Sequence, residues 1–275
     1  MSFSPDWLAL REGADHAARA PAVAQKVFAH FAAHEQVTIV DFGCGTGSNL
    51  RAMAQHLPTR QTWRLVDWDE NLLAAARTRL IAWADRTKEA QGVLTLIKGG
   101  CEIVLELRQA DLAKNFESVL DGADLLTATA FFDLVSGGWM DALSAALARR
   151  RLPLYAILTY DGREDWQPAH AADAAVLAAF HAHQKSDKGF GVAAGPDAAA
   201  YLAQTLAHHG FVLTQGESPW RLSSGELLRQ LAQGAASAVA ETGLVGAQDV
   251  AVWREARVQA ASCSIGHIDL FAVPR

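Results

Sequence analysis

The fold is decided by VTIVDFGCGTGSN, which runs from Val37 to Asn49. Its first half is a β-branched apolar run, typical of a buried strand, and Ser48 and Asn49 open a segment with helical spacing. Three alternate glycines lie between the two, and glycine permits unusual backbone angles and lets a ligand approach the main chain closely. In an open parallel sheet, such a turn at the carboxyl end of a strand is where ligands bind. We therefore predict a strand, a ligand-binding turn and a helix.

A second predicted strand, Thr62–Trp68, carries an acid close to its end. Asp67 follows Gly47 by about twenty residues, where a carboxylate can accept hydrogen bonds from both hydroxyls of a ribose. Trp68 comes directly after this acid, in a position to lie against an adenine ring. The two residues predict a ligand that contains a nucleoside.

The glycine spacing and Asp41 narrow the choice of nucleoside. Gly43-x-Gly45-x-Gly47 departs from the G-x-G-x-x-G/A fingerprint, in which a helix N-terminus faces a pyrophosphate. Asp41, just upstream, would repel a pyrophosphate but suits a cationic amino-acid ligand. S-adenosylmethionine (SAM) has an ammonium, a sulfonium and no phosphate, so the sequence favours SAM as cofactor. An Asp41 that only caps the turn remains an alternative.

Short apolar runs alternate with Ala-rich helical segments along the rest of the chain. This alternation predicts a Rossmann-like α/β fold, with a mainly parallel sheet and helices on both of its faces. We expect a single domain over 1–275, with a helical cover over 1–34 and a helical insertion, interpreted as a lid, over 161–209. Further strands are predicted at Val93–Gly99, Ala123–Asp133, Leu152–Tyr160, Phe211–Ser218 and Cys263–Val273, and a helix from Glu70 to about Gln91.

Composition and charge exclude several classes of protein. The chain has 24 Lys and Arg against 30 Asp and Glu, a net charge of −6, and no basic cluster, which argues against a nucleic-acid partner. Three widely spaced cysteines without a CxxC pair predict neither a disulfide framework nor a metal site. The chain has no long apolar stretch and its N-terminus does not resemble a secretion signal, so we expect a cytoplasmic protein that spans no membrane. The sequence says nothing about the oligomeric state.

The chain resembles the class I SAM-dependent methyltransferase family in two motifs. DFGCGTGSN, which begins at Asp41, is similar to the first motif of the family, and LVDWDENLLAAA, which contains Asp67, is similar to the second. The resemblance covers roughly the first 160 residues and implies SAM as cofactor and an open seven-stranded sheet. The segments DWLALREGADHAAR, AHQKSDKGFGVAAGP and ESPWRL resemble a bacterial subgroup of small-molecule methyltransferases, which leaves the acceptor open.

The resemblance also implies cofactor contacts outside the two motifs. It puts the adenine edge at Asp111 and Leu112, and the end of the fourth strand, at Thr129, against the cofactor. Arg11 shares a helical face with Trp7 and is either part of a solvated ion-pair ladder or the partner of the SAM carboxylate. The residues that we expect to bind the cofactor are Arg11, Asp41, Gly43, Gly45, Gly47, Asn49, Asp67, Trp68, Asp111, Leu112 and Thr129.

Methyl transfer is an in-line displacement, in which the protein positions the acceptor and removes a proton from an O–H or N–H acceptor. Asp133, at the predicted end of the fourth strand, either serves as base or amine ligand or only caps the next turn. His181 and His183 would face different directions on a helix, so we predict a catalytic role for His183 alone, together with Tyr160. The residues that we expect to bind the substrate are Asp187, Lys188, Phe190 and Trp220, although Trp220 is equally consistent with a core position.

The predicted function is therefore a SAM-dependent methyltransferase that acts on a small-molecule acceptor by direct transfer. Two other interpretations stay open. One is a protein that binds SAM without transferring its methyl group, as a regulator or a scaffold subunit. The other, which the glycine spacing disfavours, is an NAD-dependent oxidoreductase.

Overall fold

Ten β-strands form one sheet in the computed structural model, which describes residues 3–275. The elements follow one another as α1 (Pro5–Ala18), α2 (Pro21–Phe31), β1 (Gln36–Phe42), α3 (Ser48–Met53), β2 (Arg60–Asp67), α4 (Glu70–Trp83), β3 (Arg86–Ala90), β4 (Val93–Lys98), β5 (Cys101–Gln109), β6 (Leu125–Thr129), α5 (Gly137–Arg150), β7 (Leu154–Gln167), α6 (Asp173–Gln184), α7 (Ala198–His208), β8 (Phe211–Glu217), β9 (Trp220–Ser223), α8 (Glu226–Thr242), α9 (Ala247–Arg257) and β10 (Ser262–Pro274). Short 3-10 helices lie at Ala54–His56, Glu117–Val119, Phe132–Leu134 and Gly195–Asp197.

The sheet has the order β3-β4-β5-β2-β1-β6-β7-β10-β8, and β9 pairs with β10. The five central strands, from β5 to β7, are parallel, whereas β10 is antiparallel to both of its neighbours in this order. The chain thus winds outward from β1 in both directions, and the order reverses between β1 and β6. This is the topological switch point at which doubly wound sheets bind ligands. The order confirms the predicted Rossmann-like fold, but the sheet has ten strands and not the seven that were expected.

Both faces of the central strands are buried, as a parallel sheet covered by helices requires. Ile39 of β1 packs in a core beneath α2, α3 and α4, with Trp63 of β2 in the same cluster. The next residue of β1, Val40, points to the opposite face and packs with Leu126 of β6 and the helices α5 and α7. These two cores hold the carboxyl ends of β1 and β6 in fixed positions.

A third core lies beyond the carboxyl edge of the sheet, where β7 and β10 extend past their neighbours. Trp166 of β7 and Ile265 of β10 pack there with Val176 of α6, Leu228 of α8 and Trp253 of α9. The predicted lid over 161–209 is thus divided: α6 packs against α8, while α7 packs against α5, β7 and β8. The strand β7 itself continues seven residues past Tyr160, which the sequence analysis had put at its end.

The N-terminal helices are tied to the last strand by a buried carboxylate. Pro21 begins α2, and the chain turns at Ala20 between the two helices. Asp269 of β10 is fully buried; its Oδ2 accepts a hydrogen bond from the Ala20 amide at 2.9 Å, and its Oδ1 accepts one from the Leu158 amide at 2.8 Å. This anchor holds α1 in a position to cover the carboxyl edge of the sheet.

Three strands were missed by the sequence analysis, and one helix was predicted too long. The helix from Glu70 ends at Trp83 instead of Gln91, because residues 86–90 form the exposed edge strand β3. β5 was missed as well, although it runs parallel to β2, and so was β9. The predicted strand over Ala123–Asp133 shortens to β6, and Asp133 lies in the following 3-10 helix.

No helix within residues 3–275 is long and apolar enough to cross a bilayer.

Candidate functional site

A cavity of about 640 Å³ opens at the switch point, between the carboxyl ends of β1 and β6. Ten of the eleven residues predicted to bind the cofactor line it, together with Lys188 and Phe190 of the predicted substrate set. The exception is Gly47, which is buried behind the glycine turn. Asp187 and Trp220 are not in the wall, nor are the predicted catalytic residues Asp133, Tyr160 and His183.

The glycine turn forms the floor of the cavity and requires its glycines. Gly43, Gly45 and Gly47 have φ values of 59°, 52° and 75°, in the left-handed region that other residues rarely adopt. A methyl group on Gly43 would lie 2.9 Å from Phe131 Cδ2, and one on Gly45 would lie 2.9 Å from Leu8 Cδ1. Backbone shape and close packing therefore explain the three alternate glycines.

Asp67 ends β2 beside this turn. Its Oδ2 accepts a hydrogen bond from the Gly45 amide at 3.0 Å, and its Oδ1 accepts one from the Asp69 amide at 3.1 Å. Burial raises the pKa of this carboxyl, and the backbone donors oppose the rise. Trp68 lies next to it in the cavity wall with 58% of its surface exposed, which is unusual for a side chain of this size. A fixed carboxylate and an open indole thus share one side of the cavity.

Asp41 is a buried carboxyl with a single hydrogen-bonded oxygen. Its Oδ1 accepts hydrogen bonds from Asn49 Nδ2 at 2.8 Å and from Thr127 Oγ1 at 2.7 Å, whereas no donor within residues 3–275 bonds to Oδ2. Burial raises its pKa to about 6, against the effects of these donors and of Arg19. Arg19 Nη2 also donates to Asn49 Oδ1 at 2.9 Å. Asn49 therefore orients Asp41 in addition to opening α3.

Arg11 is neutralised by an acid on its own helix. Its guanidinium makes a bidentate pair with Asp15, with Nε–Oδ2 at 2.9 Å and Nη2–Oδ1 at 3.1 Å. The guanidinium carbon also lies 5.0 Å from the centre of the Trp220 ring, whose Nε1 donates to Asp15 Oδ1 at 3.0 Å. Asp15 is buried and both members of the pair line the cavity, so this is not a solvated ladder. Trp220 packs behind the pair, outside the wall.

The far wall follows β5 and carries the predicted adenine edge. Asp111 is exposed and pairs with Lys114 Nζ at 2.9 Å, a contact that lowers its pKa. The Leu112 carbonyl accepts a hydrogen bond from Trp139 Nε1 at 2.9 Å. Trp139, which the sequence analysis did not single out, thereby fixes this end of the cavity.

The turn over residues 187–192 closes the cavity on the β6 side. Asp187 shapes it from outside the wall, because its Oδ1 accepts hydrogen bonds from the Gly189 amide at 2.7 Å and the Gly191 amide at 3.0 Å. Phe190 points inward and packs edge-on against Phe131 and Trp139, with ring centres 5.7 and 5.5 Å away. Asp187 therefore has a structural position, while Phe190 lies in the wall.

The predicted catalytic residues lie near the cavity but do not line it. The Tyr160 hydroxyl donates to Glu164 Oε1 at 3.0 Å and lies 3.0 Å from His181 Nε2. It is thus His181 that meets Tyr160, whereas His183 Nε2 lies 3.1 Å from Glu241 Oε2 on the outside. Glu164 was missed, because the sequence analysis ended β7 at Tyr160. The sequence indicates β7 up to this residue only, since charged side chains follow.

His267 is a further buried group near the site. It lies on β10 with its ring centre 5.6 Å from that of Trp220, and burial lowers its pKa to about 4, so its imidazole is neutral at pH 7. Its Nδ1 has no hydrogen-bond partner. The sequence does not indicate this position, because a histidine in a predicted apolar strand is equally consistent with an ordinary core residue.

Asp133 is a partly buried carboxyl whose Oδ1 has no hydrogen-bond partner. Burial raises its pKa from an ordinary 3.8 to about 6, and Arg11 opposes the rise. The fold thus favours the protonated form, so the stabilising contribution of this group is complete below pH 3.8 and is lost as the pH rises through about 6.

Asp133→Asn, which imitates the protonated form, is expected to raise the free energy of unfolding by about 1–2 kcal/mol at pH 7.5. At pH 4 the gain is expected to vanish. Urea unfolding at both pH values measures this difference, with the exposed Asp249→Asn on α9 as control. Destabilisation by Asp133→Asn at pH 7.5 would show that the native fold stabilises the carboxylate instead.

Among the described residues 3–275, no group of three or more His, Cys, Asp or Glu side chains is arranged to hold a metal ion.

No protein-family model and no curated protein sequence matches the chain. Among solved structures, the YcgJ protein from Bacillus subtilis is similar at 12% identity and a TM-score of 0.50, over 92% of this chain and 98% of that one. The cyclopropane synthase MmaA2 from Mycobacterium tuberculosis has 13% identity and a TM-score of 0.47, over 91% and 83%. Magnesium protoporphyrin IX methyltransferase from Synechocystis PCC 6803, solved with bound SAM, has 12% identity and a TM-score of 0.45, over 100% and 86%.

At this level of identity the likeness is one of fold. The likeness to the Bacillus subtilis structure covers 92% of this chain and supports the fold described above. The class that the fold defines is a Rossmann-like α/β protein with its ligand cavity at the β1–β6 switch point.

Proposed function

We propose that this protein is a SAM-dependent methyltransferase that acts on a small-molecule acceptor. The proposal rests on one observation. The same cavity wall contains a left-handed glycine turn, the fixed carboxylate of Asp67 and the exposed ring of Trp68. A volume of about 640 Å³ falls within the range of small-molecule sites.

The wall suits each part of a nucleoside that carries an amino acid. Asp67 is the group that would accept hydrogen bonds from the ribose hydroxyls, and Trp68 would stack on the adenine. Asp111 and the backbone after it would meet the adenine edge. Asp41 Oδ2, to which no donor within residues 3–275 bonds, would take the ammonium. These assignments use the polar atoms that the fold leaves available.

The charge of the wall favours SAM over a dinucleotide. Four aspartates line the cavity against two basic side chains, Arg11 and Lys188, and Arg11 is already paired with Asp15. A pyrophosphate at the glycine turn would meet the carboxylates of Asp41 and Asp67 in the cavity wall, which Coulomb repulsion disfavours. SAM would instead bring its ammonium and its sulfonium toward the side of the cavity that carries Asp41 and Asp67.

Bound SAM supplies an electrophilic methyl group. The acceptor lone pair forms the new bond to that methyl carbon as the carbon–sulfur bond breaks, and an N–H or O–H acceptor then loses its proton. Phe131 and Phe190 in the wall exclude water from the reacting atoms. Asp133 lies outside the cavity wall, so the proton would reach its carboxylate, whose pKa is about 6, through a water molecule.

One observation favours a second candidate function, which is SAM binding without methyl transfer. Asp133, Tyr160 and His183 all lie outside the cavity wall, so no predicted catalytic side chain touches the space where an acceptor would bind. A regulator or scaffold subunit would have no need of such a side chain.

Thermal denaturation with S-adenosylhomocysteine (SAH) and with NAD tests the cofactor. At a hundred times its dissociation constant, SAH is expected to raise the Tm by about 4–8 °C, and NAD is expected to leave it unchanged. Stabilisation by NAD alone would overturn the proposal. SAH production from SAM, measured with a panel of amines and hydroxylated acids, separates the two candidates: tight SAM binding with no SAH formed supports the regulator.

A further inference from the structure

We propose that the acceptor carries an anionic group and that Lys188 binds it. The inference rests on the proposed function, and it adds the chemical class of the acceptor and the residue that selects it. It depends on the charge balance of the cavity wall, the position of Lys188 and the rigidity of the turn that presents it.

Of the two cations in the wall, only Lys188 has no acid as a partner within residues 3–275. Asp15 pairs with Arg11, and Asp111 pairs with Lys114. Asp41 accepts hydrogen bonds from two side chains, and Asp67 accepts them from two backbone amides. An incoming ligand thus meets one cation in this wall that no acid of the protein has neutralised.

The ammonium of Lys188 contacts only neutral groups. Its Nζ donates to Ser186 Oγ at 2.7 Å and lies 3.5 Å from the His183 carbonyl oxygen, and no carboxylate within residues 3–275 forms an ion pair with it. Lys185, three residues earlier on the same segment, pairs with Asp197 at 2.9 Å. A partly buried cation that lacks an acid is stabilised by an anionic ligand.

The turn that carries Lys188 is held in one shape. Asp187 Oδ1 accepts hydrogen bonds from two backbone amides of the turn, and Asp187 and Val192 form an isolated antiparallel β-bridge. Just beyond it, the Ala194 amide donates to the Val135 carbonyl at 2.8 Å. These contacts fix the backbone on both sides of Lys188, a residue of the cavity wall, so only its side chain has to be ordered when it binds an anion.

Aromatic side chains line the cavity together with Lys188. Phe131 and Phe190 line the same part of the cavity and pack on each other, and Leu134 adds apolar surface beside them. The wall therefore suits a ligand with an apolar body and a carboxylate, phosphate or sulfonate at one end. The methyl-accepting amine or hydroxyl would be on that same body.

The carboxylate of SAM is a second source of the same chemistry. Arg11 lines the cavity from a different element, α1; Asp15 accepts hydrogen bonds from its Nε and Nη2, so its Nη1 would donate to the SAM carboxylate. This leaves Lys188 to the acceptor. If Lys188 binds the SAM carboxylate, its substitution lowers the affinity for SAH, and if it binds the acceptor, the substitution lowers the affinity for acceptor-like anions. Separate titrations with SAH and with such anions therefore distinguish the two.

The test compares Lys188→Gln with Lys185→Gln, a matched lysine on the same segment whose side chain does not line the cavity. The probes are three arylcarboxylates of different chain length, each paired with its amide and titrated into SAH-saturated protein by calorimetry. Wild-type protein is expected to bind at least one carboxylate about tenfold more tightly than its amide. The preference is expected to disappear in Lys188→Gln and to persist in Lys185→Gln, while the affinity for SAH changes less than about twofold in both variants.

Three results would overturn the assignment. The first is equal or undetectable binding of carboxylate and amide by the wild-type protein, and the second is a preference that survives Lys188→Gln. The third is a tenfold loss of SAH affinity in Lys188→Gln, which would give the lysine to the cofactor. Failure of the wild-type protein to bind SAH would overturn the proposed function, and the probe titration repeated without SAH would still decide the role of Lys188.

Discussion

Replacement of Asp67 by alanine is expected to weaken SAH binding about 100-fold. In the proposed complex, this carboxylate accepts hydrogen bonds from both ribose hydroxyls, and a hydrogen bond to a charged group contributes about 1.5–3 kcal/mol. The substitution also removes the acceptor of the Gly45 and Asp69 amides, so the turn that faces the ligand loses its support. Both effects act in the same direction. Together they amount to about 2.7 kcal/mol or more of binding free energy.

Asp85→Ala is the matched control for this prediction. Asp85 likewise accepts a glycine amide, that of Gly99 at 2.9 Å, and it pairs with Lys98 away from the cavity. Calorimetric titration with SAH is expected to give wild-type affinity for the control. If a folded Asp67→Ala protein, checked by circular dichroism, binds SAH within threefold of wild type, the ribose assignment is wrong.

Gly47→Ala is expected to lower the free energy of unfolding by about 2–5 kcal/mol. With φ at 75°, an alanine there has left-handed strain of about 1–2 kcal/mol. Its methyl group would also lie 3.0 Å from Leu80 Cδ1. Leu80 is fully buried on α4, so relief of this contact requires repacking of the core, which costs about 1–3 kcal/mol.

Gly92→Ala separates the two causes. Gly92 has nearly the same φ, 77°, but nothing lies within 4 Å of the added methyl group, so only the strain of about 1–2 kcal/mol is expected. Urea unfolding of both variants measures the difference. If both variants are destabilised equally, the contact with Leu80 is relieved at no cost in free energy. Glycine would then be required at position 47 only for the left-handed backbone of the turn.

The parallel centre of the fold was predictable because its strands are short apolar runs that end in Gly or Asp. VTIVDFG and the strand before Asp67 carry this pattern, and the structure has β1 and β2 there. β5 carries a signal that the analysis did not use: in CEIVLELRQ, Cys101, Ile103 and Leu105 alternate with exposed or partly exposed residues. That period of two is typical of a strand with one buried face.

The edge strand β3 could not be predicted in the same way. All five of its residues are exposed, so no apolar face marks them, and RTKEA is equally compatible with the end of a helix. Its hairpin is specified by the turn, where Gln91 and Gly92 both have positive φ, as two-residue hairpin loops require. Tertiary pairing with β4, rather than local preference, decides the strand.

The side of the cavity formed by the glycine turn and the ends of β1 and β2 was predictable, and the surroundings of Tyr160 were not. Glycine spacing and the acids at the ends of β1 and β2 are local in sequence, and these residues line the cavity. The surroundings of Tyr160 depend instead on how far β7 continues and on which face of α6 turns inward. His181 and His183 lie on different faces of α6, and the packing of the helix decides which of the two faces Tyr160.

The anchor at Asp269 has a consequence for how the protein is made. The Ala20 amide bonds to a carboxylate that follows it by 249 residues, and Asp15 on the preceding helix meets Trp220 across 205 residues. Until β10 has been synthesised, α1 and α2 lack this docking surface, so the cavity of the nascent chain stays open on the side of Leu8 and Arg11. Contacts across so large a sequence separation form slowly, and we therefore expect this side of the cavity to close late in folding.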